Sequence, residues 1–446
     1  GQRRGARIVV HLKEEHEEFA KTHRVKGIIE RYSNFVGFPV NLNGERVNTV
    51  EALWLLPKKE VSEEQYKEFY QFTSHAMDEP RYTMHFSADA PLAINALLFV
   101  PGENVERMGL GAQPPGVALY CRKVLIDPNP EGLLPEWLRF LRGVIDSEDL
   151  PLNISRESMQ DSALVRKLSE VLTKRFLKFL DKQASDNPEG YREFHDRFSR
   201  FLKEGIVASP VHQELLAGLL RFASSMTEGE ELTSLDSYVD RMKEGQEEIY
   251  YLVGPGREVL EKGPFFEGFR SRGLEVAFFT EAVDDYVLEG LREYKGKKLV
   301  AANRSGIELE DLPDESEGED LSEEETEGLV SWLNSALDDR VARVDAGKRL
   351  VKHPMVALLP EDAPNAQMRA MMAAMGQEAP ESKAKLEINT RHPLIRKLSS
   401  LQGSQRDLAS KVAAQLTDHA LLAAGMEVNA GEISEAMAEL LGELLE

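Results

Sequence analysis

The sequence predicts an α/β and α+β protein of several domains that ends in a mostly helical region, and three observations carry that expectation. Short β-rich runs alternate with helical patterns from about residue 50 to 300, as in a layered α/β architecture. The segment 308–327 holds twelve acidic residues in twenty, the composition of a solvated boundary. Beyond it the chain becomes rich in Ala, Leu and Met and closes on two amphipathic patterns. At 446 residues it is too long for a single core, and about three domains are expected.

Residues 1–46 read as strand, helix, strand: an alternating stretch at 6–12, a helix over about 14–32, and a strand at 38–42 before the turn signal Asn43-Gly44. A chain that opens on a strand with no earlier partner is expected to be a piece of something longer. Tyr82-Thr83-Met84-His85-Phe86 and Ala96-Leu97-Leu98-Phe99-Val100 predict adjacent strands, and 117–126 a third. In 133–157 a polar loop at 146–149 separates two apolar runs and leads into a helix. Leu164, Leu168, Leu172, Phe176 and Leu180 then form one stripe of an amphipathic helix, and helical pattern continues to about 226. A smaller α/β unit follows, with strands at 248–253, 275–279 and 297–300 spaced for parallel βαβ units. The two final patterns run through Leu408, Val412, Leu416, Ala420 and Ala423, then Ile433, Met437, Leu440, Leu441 and Leu444. Two short helices cannot bury such faces against each other, whereas a second copy completing a four-helix bundle would. Leu416, Leu422, Met437, Leu440, Leu441 and Leu444 are therefore the candidate dimerisation residues.

A composition of 42% hydrophobic and 29% charged residues is that of a globular, soluble protein. The net charge of −23 repels nucleic-acid phosphates and acidic membranes, so neither is an expected partner. No apolar run approaches the roughly 20 residues that span a bilayer. The single cysteine, Cys121, excludes an intrachain disulfide and fits a reducing compartment. Lying mid-strand among apolar neighbours, it reads as a buried structural thiol rather than a nucleophile. His11 and His16 miss the i,i+4 spacing of helical ligands and the other histidines are scattered, so no metal site is expected. Gly254-Pro255-Gly256 lacks the Gly-Lys-Ser/Thr ending of a phosphate loop and reads as a turn.

Arg156 and Gln160, four apart beyond the polar loop, would share one helical face. An arginine at such a junction can bond a phosphate bidentately, or it can form an ordinary surface ion pair. Spacing leaves both open.

The segment 133–160, from Leu133-Leu134-Pro135-Glu136-Trp137 through Asn153-Ile154-Ser155-Arg156-Glu157 to Gln160, closely resembles the signature of the heat-shock protein 90 chaperones. Further matches follow in that family's order: Tyr32-Ser33-Asn34-Phe35-Val36-Gly37-Phe38-Pro39-Val40, Ala52-Leu53-Trp54, Tyr238-Val239-Asp240-Arg241-Met242-Lys243, Ile249-Tyr250-Tyr251, Gly296-Lys297-Lys298-Leu299-Val300, Leu386-Glu387-Ile388-Asn389 and Arg391-His392-Pro393-Leu394-Ile395. They run from about residue 5 to the C-terminus.

The resemblance implies an α/β middle domain, its large and small parts joined by helices, followed by a mostly helical C-terminal dimerisation domain. Residues 1–46 correspond to the last strand–helix–strand of an N-terminal ATPase domain, and 47–235 to the large middle domain with its connecting helices. Residues 236–310 match the small α/β middle subdomain, 311–327 an acidic boundary, and 328–446 the dimerisation domain. ATP with magnesium is expected in the full-length protein and none on this chain alone, which should hydrolyse no ATP by itself. Arg156 falls on the family's arginine that contacts the ATP γ-phosphate in the closed state, and Asn153 and Gln160 on neighbours that shape the same catalytic loop.

Trp54 falls on a tryptophan that the family links to client contact and domain communication; a core tryptophan is the other reading. Met368, Met371, Met372 and Met375 resemble the family's client-contacting helix, since a flexible, polarizable stripe suits a promiscuous apolar surface; dimer core is the alternative. The expected partners are thus a second copy and partly unfolded client proteins, with a nucleotide-independent holdase as the competing function. A related ATPase of the gyrase or mismatch-repair type is opposed by the negative charge. Lack of a long charged linker near 44–50 and of an acidic C-terminal pentapeptide resembles the mitochondrial and bacterial branches. The segments 81–83, 116–126 and 419–425 lean toward the mitochondrial matrix, with bacterial cytoplasm or plastid as the other settings.

Overall fold

Two units divide the chain, Gly1–Phe201 and Leu202–Glu446. The computed structural model describes residues 5–48, 51–90, 92–109, 111–149, 163–309, 319–361, 363–364, 366–377, 380, 382–426 and 428–445. Within both units the expected mixture of helices and sheets is present, and helices dominate the C-terminal region.

In the first unit the alternating stretch 6–12 does not form the predicted strand. It pairs with no strand among the described residues and leaves Ile8 85% exposed, because alternation without a ladder partner holds no extended structure. Helix α1 (Thr22–Tyr32) leads to a small hairpin, β1 (Asn41–Leu42) and β2 (Glu45–Arg46), turned by Asn43 and Gly44 at φ 51° and 92°. Helix α2 (Glu63–Ser74) starts at a capping box between Ser62 and Gln65.

A five-stranded sheet follows, built from β3 (Tyr82–Ala88), β4 (Ile94–Val100), β5 (Gly116–Cys121), β6 (Val124–Asp127) and β7 (Arg142–Ser147), in the order β3-β4-β7-β5-β6. β3 and β4 are the predicted adjacent pair, with Tyr82 opposite Val100. Residues 117–126, predicted as one strand, are a hairpin: β5 and β6 fold back on Arg122 and Lys123, both in the left-handed region at φ 50° and 67°. The predicted polar loop is also partly strand, since Asp146 and Ser147 end β7. At Gly143, φ 128°, a Cβ would lie 2.1 Å from the Leu97 carbonyl oxygen, so no side chain fits where β7 crosses β4. One side of the sheet carries an aromatic cluster in which Phe35 meets Trp54 edge-on at 4.7 Å. Helices α3 (Ala163–Asp186) and α4 (Pro188–Ala208) supply a second cluster, with Phe140 between Phe176, Phe198 and Phe201.

The second unit opens with α5 (Gln213–Gly218), β8 (Ala223–Ser224) and α6 (Leu235–Arg241). Its first sheet adds β9 (Glu248–Val253), β10 (Val276–Phe279), β11 (Glu293–Tyr294) and β12 (Lys297–Ala301), in the order β11-β12-β9-β10-β8. β9 is parallel to both β10 and β12, as the spacing predicts. Helices α7 (Arg257–Lys262) and α8 (Pro264–Ser271) connect β9 to β10, and α9 (Val283–Leu291) leads from β10 toward β11 and β12.

Helix α10 (Glu323–Ala336) starts at a second capping box, Ser322 with Glu325. A three-stranded sheet is made by β13 (Arg343–Ala346), β14 (Met355–Leu358) and β15 (Lys385–Ile388), with β15 central. Helices α11 (Ala366–Ala374), α12 (Pro393–Ser404), α13 (Arg406–Ala423) and α14 (Ala430–Leu445) complete the chain. One core joins both sheets of this unit: Phe269 and Val276 belong to the same buried cluster as Leu386, Leu398 and Ala413.

Candidate functional site

Strand β7 leads in sequence directly to 150–162, which carries Asn153, Arg156 and Gln160; these three lie outside the described residues. What precedes them is fixed in detail. Asp146, 2% exposed, accepts the indole N–H of Trp54 at 3.0 Å and the backbone N–H groups of Arg122 and Lys123 at 2.8 and 3.0 Å. A buried carboxylate is tolerated when donors surround it in this way. It also supplies what the turn at 122–123 needs, an acceptor for two N–H groups that lack ladder partners. Burial, and then this carboxylate, push the Tyr120 phenol up to about 12 and raise the Cys121 thiol above its ordinary value. Cys121 is buried, as a structural thiol should be. Three residues on, Asp149 accepts the backbone N–H of Ala93 at 2.7 Å. The strand end is thus anchored to the loop before β4, to the β5–β6 turn and to Trp54.

Trp54 itself is 1% exposed, enclosed by Phe35, Phe69 and Tyr120. In this conformation it offers a client no surface, and of its two readings the core tryptophan is the one its burial matches. Its indole N–H points to Asp146 because a buried donor needs a partner.

The other quoted motifs have structural work in the second unit. Tyr238 on α6 donates its hydroxyl to the Glu275 carbonyl at 2.6 Å and accepts from the Tyr250 N–H at 3.0 Å, joining α6 to β9 and to the residue before β10. Arg241 forks onto Glu275 at 3.0 and 2.6 Å. Asn389, just after β15, donates to the Val351 and His353 carbonyls, each at 3.3 Å.

Of the four methionines, Met368 and Met372 are half-buried and Met375 is 57% exposed, while the side chain of Met371 lies outside the described residues. Met368 and Met372 line an open cleft of about 780 Å³ between α11, α9 and β12, with Leu288, Leu299 and Pro364 among its walls. Apolar walls rimmed by Glu289, Arg292, Lys298 and Glu361 suit a segment that is apolar with charged flanks.

In α13 and α14, Leu440 is buried, Leu416 and Met437 are half-buried, and Leu422 and Leu441 are 55% and 51% exposed. The side chain of Leu444 is outside the described residues. Lys411 donates to Glu439 at 3.0 Å and also bonds Glu443, clamping α14 along α13.

Gly254-Pro255-Gly256 is a bend before the six-residue α7, and a Cβ on Gly254 would press on the Leu260 side chain at 2.7 Å.

Comparison with known proteins places these features in context. The family model described as Hsp90 protein matches residues 43–445. Chaperone protein HtpG of Desulfitobacterium hafniense (strain Y51) is 47% identical over 445 residues, 99% of this chain and 72% of that protein. Heat shock protein 75 kDa, mitochondrial, of Bos taurus is 41% identical over 438 residues, 96% of this chain and 62% of that protein. TNF receptor-associated protein 1 homolog, mitochondrial, of Dictyostelium discoideum is 39% identical over 449 residues, 100% of this chain and 63% of that protein.

Proposed function

Because the chain belongs to the Hsp90 family of chaperones, we propose that it works as a homodimer, joined through α13 and α14, that holds partly unfolded client proteins in an ATP-driven cycle. The observation that carries the dimer is the apolar surface these helices leave: Leu422 and Leu441 are each about half exposed, although α13 packs Ala409, Ala413 and Leu421 into the core and α14 buries Leu440. A second copy would cover them with the same residues of its own, as an isologous interface requires. Met368, Met371, Met372 and Met375 are the client surface in this reading, with the cleft beneath α11 as its extension.

ATP with magnesium supplies the free energy of the cycle. This chain's contribution is Arg156, whose permanently charged fork suits a γ-phosphate presented by a nucleotide-binding domain of the same assembly. Asn153 and Gln160 shape the loop beside it. Support comes from the matched signature segment and from the anchored end of β7 that precedes it. Trp54 takes the communication half of its reading, since any shift of the loop that reaches Asp146 reaches the indole. The compartment is the mitochondrial matrix or a bacterial cytoplasm, in keeping with mitochondrial and bacterial relatives and a single cysteine.

Sedimentation equilibrium on the chain and on the Leu422→Glu, Leu441→Glu double variant tests the dimer. We expect a dimer and a folded monomer respectively, and a monomeric parent chain would sink the reading. Aggregation of a heat-unfolded test protein, suppressed equally with and without ATP in the complete chaperone, would favour the nucleotide-independent holdase instead.

A further inference from the structure

The first sheet of the second unit is doubly wound about β9. The chain leaves β9 through α7 and α8 to reach β10 on one side, then returns through α9 to β12 on the other. Right-handed crossovers in opposite directions put their helices on opposite faces. The packing agrees: Phe269 of α8 sits on Tyr250 at 4.7 Å and Phe266 on Phe278 at 5.5 Å. Tyr251 alternates to the other face, where its phenol is raised by burial and then by the Asp285 and Glu289 carboxylates of α9.

Where the winding reverses, β9 and β12 part at their carboxyl ends. The Gly254 N–H stays with the Phe279 carbonyl at 3.0 Å, whereas the Ala302 N–H takes the Tyr251 carbonyl at 2.8 Å before that chain turns away. In open α/β sheets this is the crevice that takes ligands. Here it is a pocket of about 270 Å³, with Leu260 and Phe265 on one side, Tyr251, Asp285 and Glu289 on the other, and Ala423 at the end of α13 closing it.

The charges in the pocket are unequal. Arg304, also in the pocket wall, donates to Glu289 at 2.9 Å and to the Pro360 and Ala363 carbonyls at 2.9 and 2.7 Å, which pairs its charge with Glu289. Asp285 is one helical turn before Glu289, a like-charge spacing that disfavours both carboxylates being ionised. Among the described residues no side chain is hydrogen-bonded to it. Its carboxyl is raised to about 6, by burial first and then by Glu289, with Arg304 opposing.

We propose that this crevice binds a small organic ammonium ion, the cation on Asp285 and the apolar body against Leu260 and Phe265. With Arg304 set against Glu289 in the wall of the pocket, one carboxylate is left in excess, and a single positive charge relieves it. The carboxylate left in excess disfavours phosphates and other anions. The volume falls below the roughly 300–1,000 Å³ of drug-sized sites, which restricts the body to one ring or a short alkyl chain. This site is independent of the chaperone reading, which assigns no ligand to it.

Titration calorimetry on the full chain at neutral pH, with 2-phenylethylamine and its neutral isostere 2-phenylethanol, tests the proposal. One amine should bind per chain, with the alcohol at least about tenfold weaker, a difference of about 1.4 kcal/mol. Asp285→Asn should lower amine affinity by a similar factor, and Ala423→Leu, which narrows the mouth and leaves the charge alone, should weaken the amine as well. No saturable binding at millimolar amine overturns the proposal, as does equal binding of amine and alcohol or an Asp285→Asn chain that binds like its parent. If Asp285→Asn fails to fold by circular dichroism, the amine–alcohol difference and Ala423→Leu still decide.

Discussion

Trp54 donates its indole N–H to the carboxylate of Asp146 at 3.0 Å, a side-chain bond between two buried residues 92 positions apart. It closes the first unit's sheet from two directions, since the same carboxylate also receives the turn between β5 and β6. The strand end that leads to Arg156 is therefore a rigid base and not a loose linker.

Replacing Asp146 by Ala should cost about 2–3 kcal/mol, because the buried Trp54 donor and two part-buried N–H groups lose their acceptor, the first at roughly 1–3 kcal/mol. Asp146→Asn, which keeps the shape and one carbonyl oxygen, should lie between. Trp54→Phe removes one donor and should cost less than Asp146→Ala. Urea unfolding followed by intrinsic fluorescence gives the order, and a neutral Asp146→Ala would contradict the anchoring role.

A second network sets a pH window. Burial acts to raise the Glu267 carboxyl, but its bonds from His353 and from the Val351 and Lys352 N–H groups outweigh that and hold it at about 2, against an ordinary 4.5. The same bond to Glu267 raises His353 above its ordinary 6.5, with burial opposing. Glu267's contribution is complete above pH 4.5 and fades as pH falls toward 2. That of His353 is complete below pH 6.5 and is lost as pH rises through its raised value. Thermal unfolding against pH should therefore peak between those two ordinary values, with His353→Ala flattening the alkaline slope and Glu267→Gln the acid one. Unchanged slopes in both variants would remove the network from the account.

Arg156→Ala in the complete chaperone should lower single-turnover phosphate release about 10²–10³-fold, the scale of losing one transition-state donor. Arg156→Lys should not restore it, since a point charge does not replace a bidentate fork. Client affinity without nucleotide should stay as it was. Full turnover by Arg156→Ala would return the residue to an ordinary ion pair.

Met372→Gln with Met375→Gln should weaken binding of a labelled unfolded polypeptide several-fold, read by anisotropy. Met375 is exposed, so its change should move stability by no more than about 0.5 kcal/mol. Parental affinity at parental stability would move the client surface elsewhere.

Much of this architecture was legible in the residues. The β-rich runs at 82–86 and 96–100 became β3 and β4, the parallel strands around β9 followed from their spacing, and the three-to-four pattern marked α3, α13 and α14. The misses share a cause. Residues 117–126 form an unbroken β-rich run, and nothing in Arg122-Lys123 announces a turn with two positive φ values, because the acceptor that stabilises it, Asp146, is 23 or more residues away. Asp146 looked like loop because it is charged, yet its donors come from the tertiary fold. Conversely, 6–12 has a strand's alternation and no partner strand among the described residues. The site was legible mainly through resemblance: spacing alone left Arg156 between a phosphate and a surface acid, and Trp54 between a client and a core.

The burial of Cys121 turns the sequence's one thiol into a reporter. Its thiolate is suppressed by burial, so an alkylating reagent finds little to attack on the folded chain. A cysteine introduced at Met375 or Leu441 then becomes a unique attachment point for a fluorophore, with no native thiol to remove first. The slow alkylation that does reach Cys121 counts the moments when β5 lifts from its neighbours, giving a clock for breathing of the first unit's sheet.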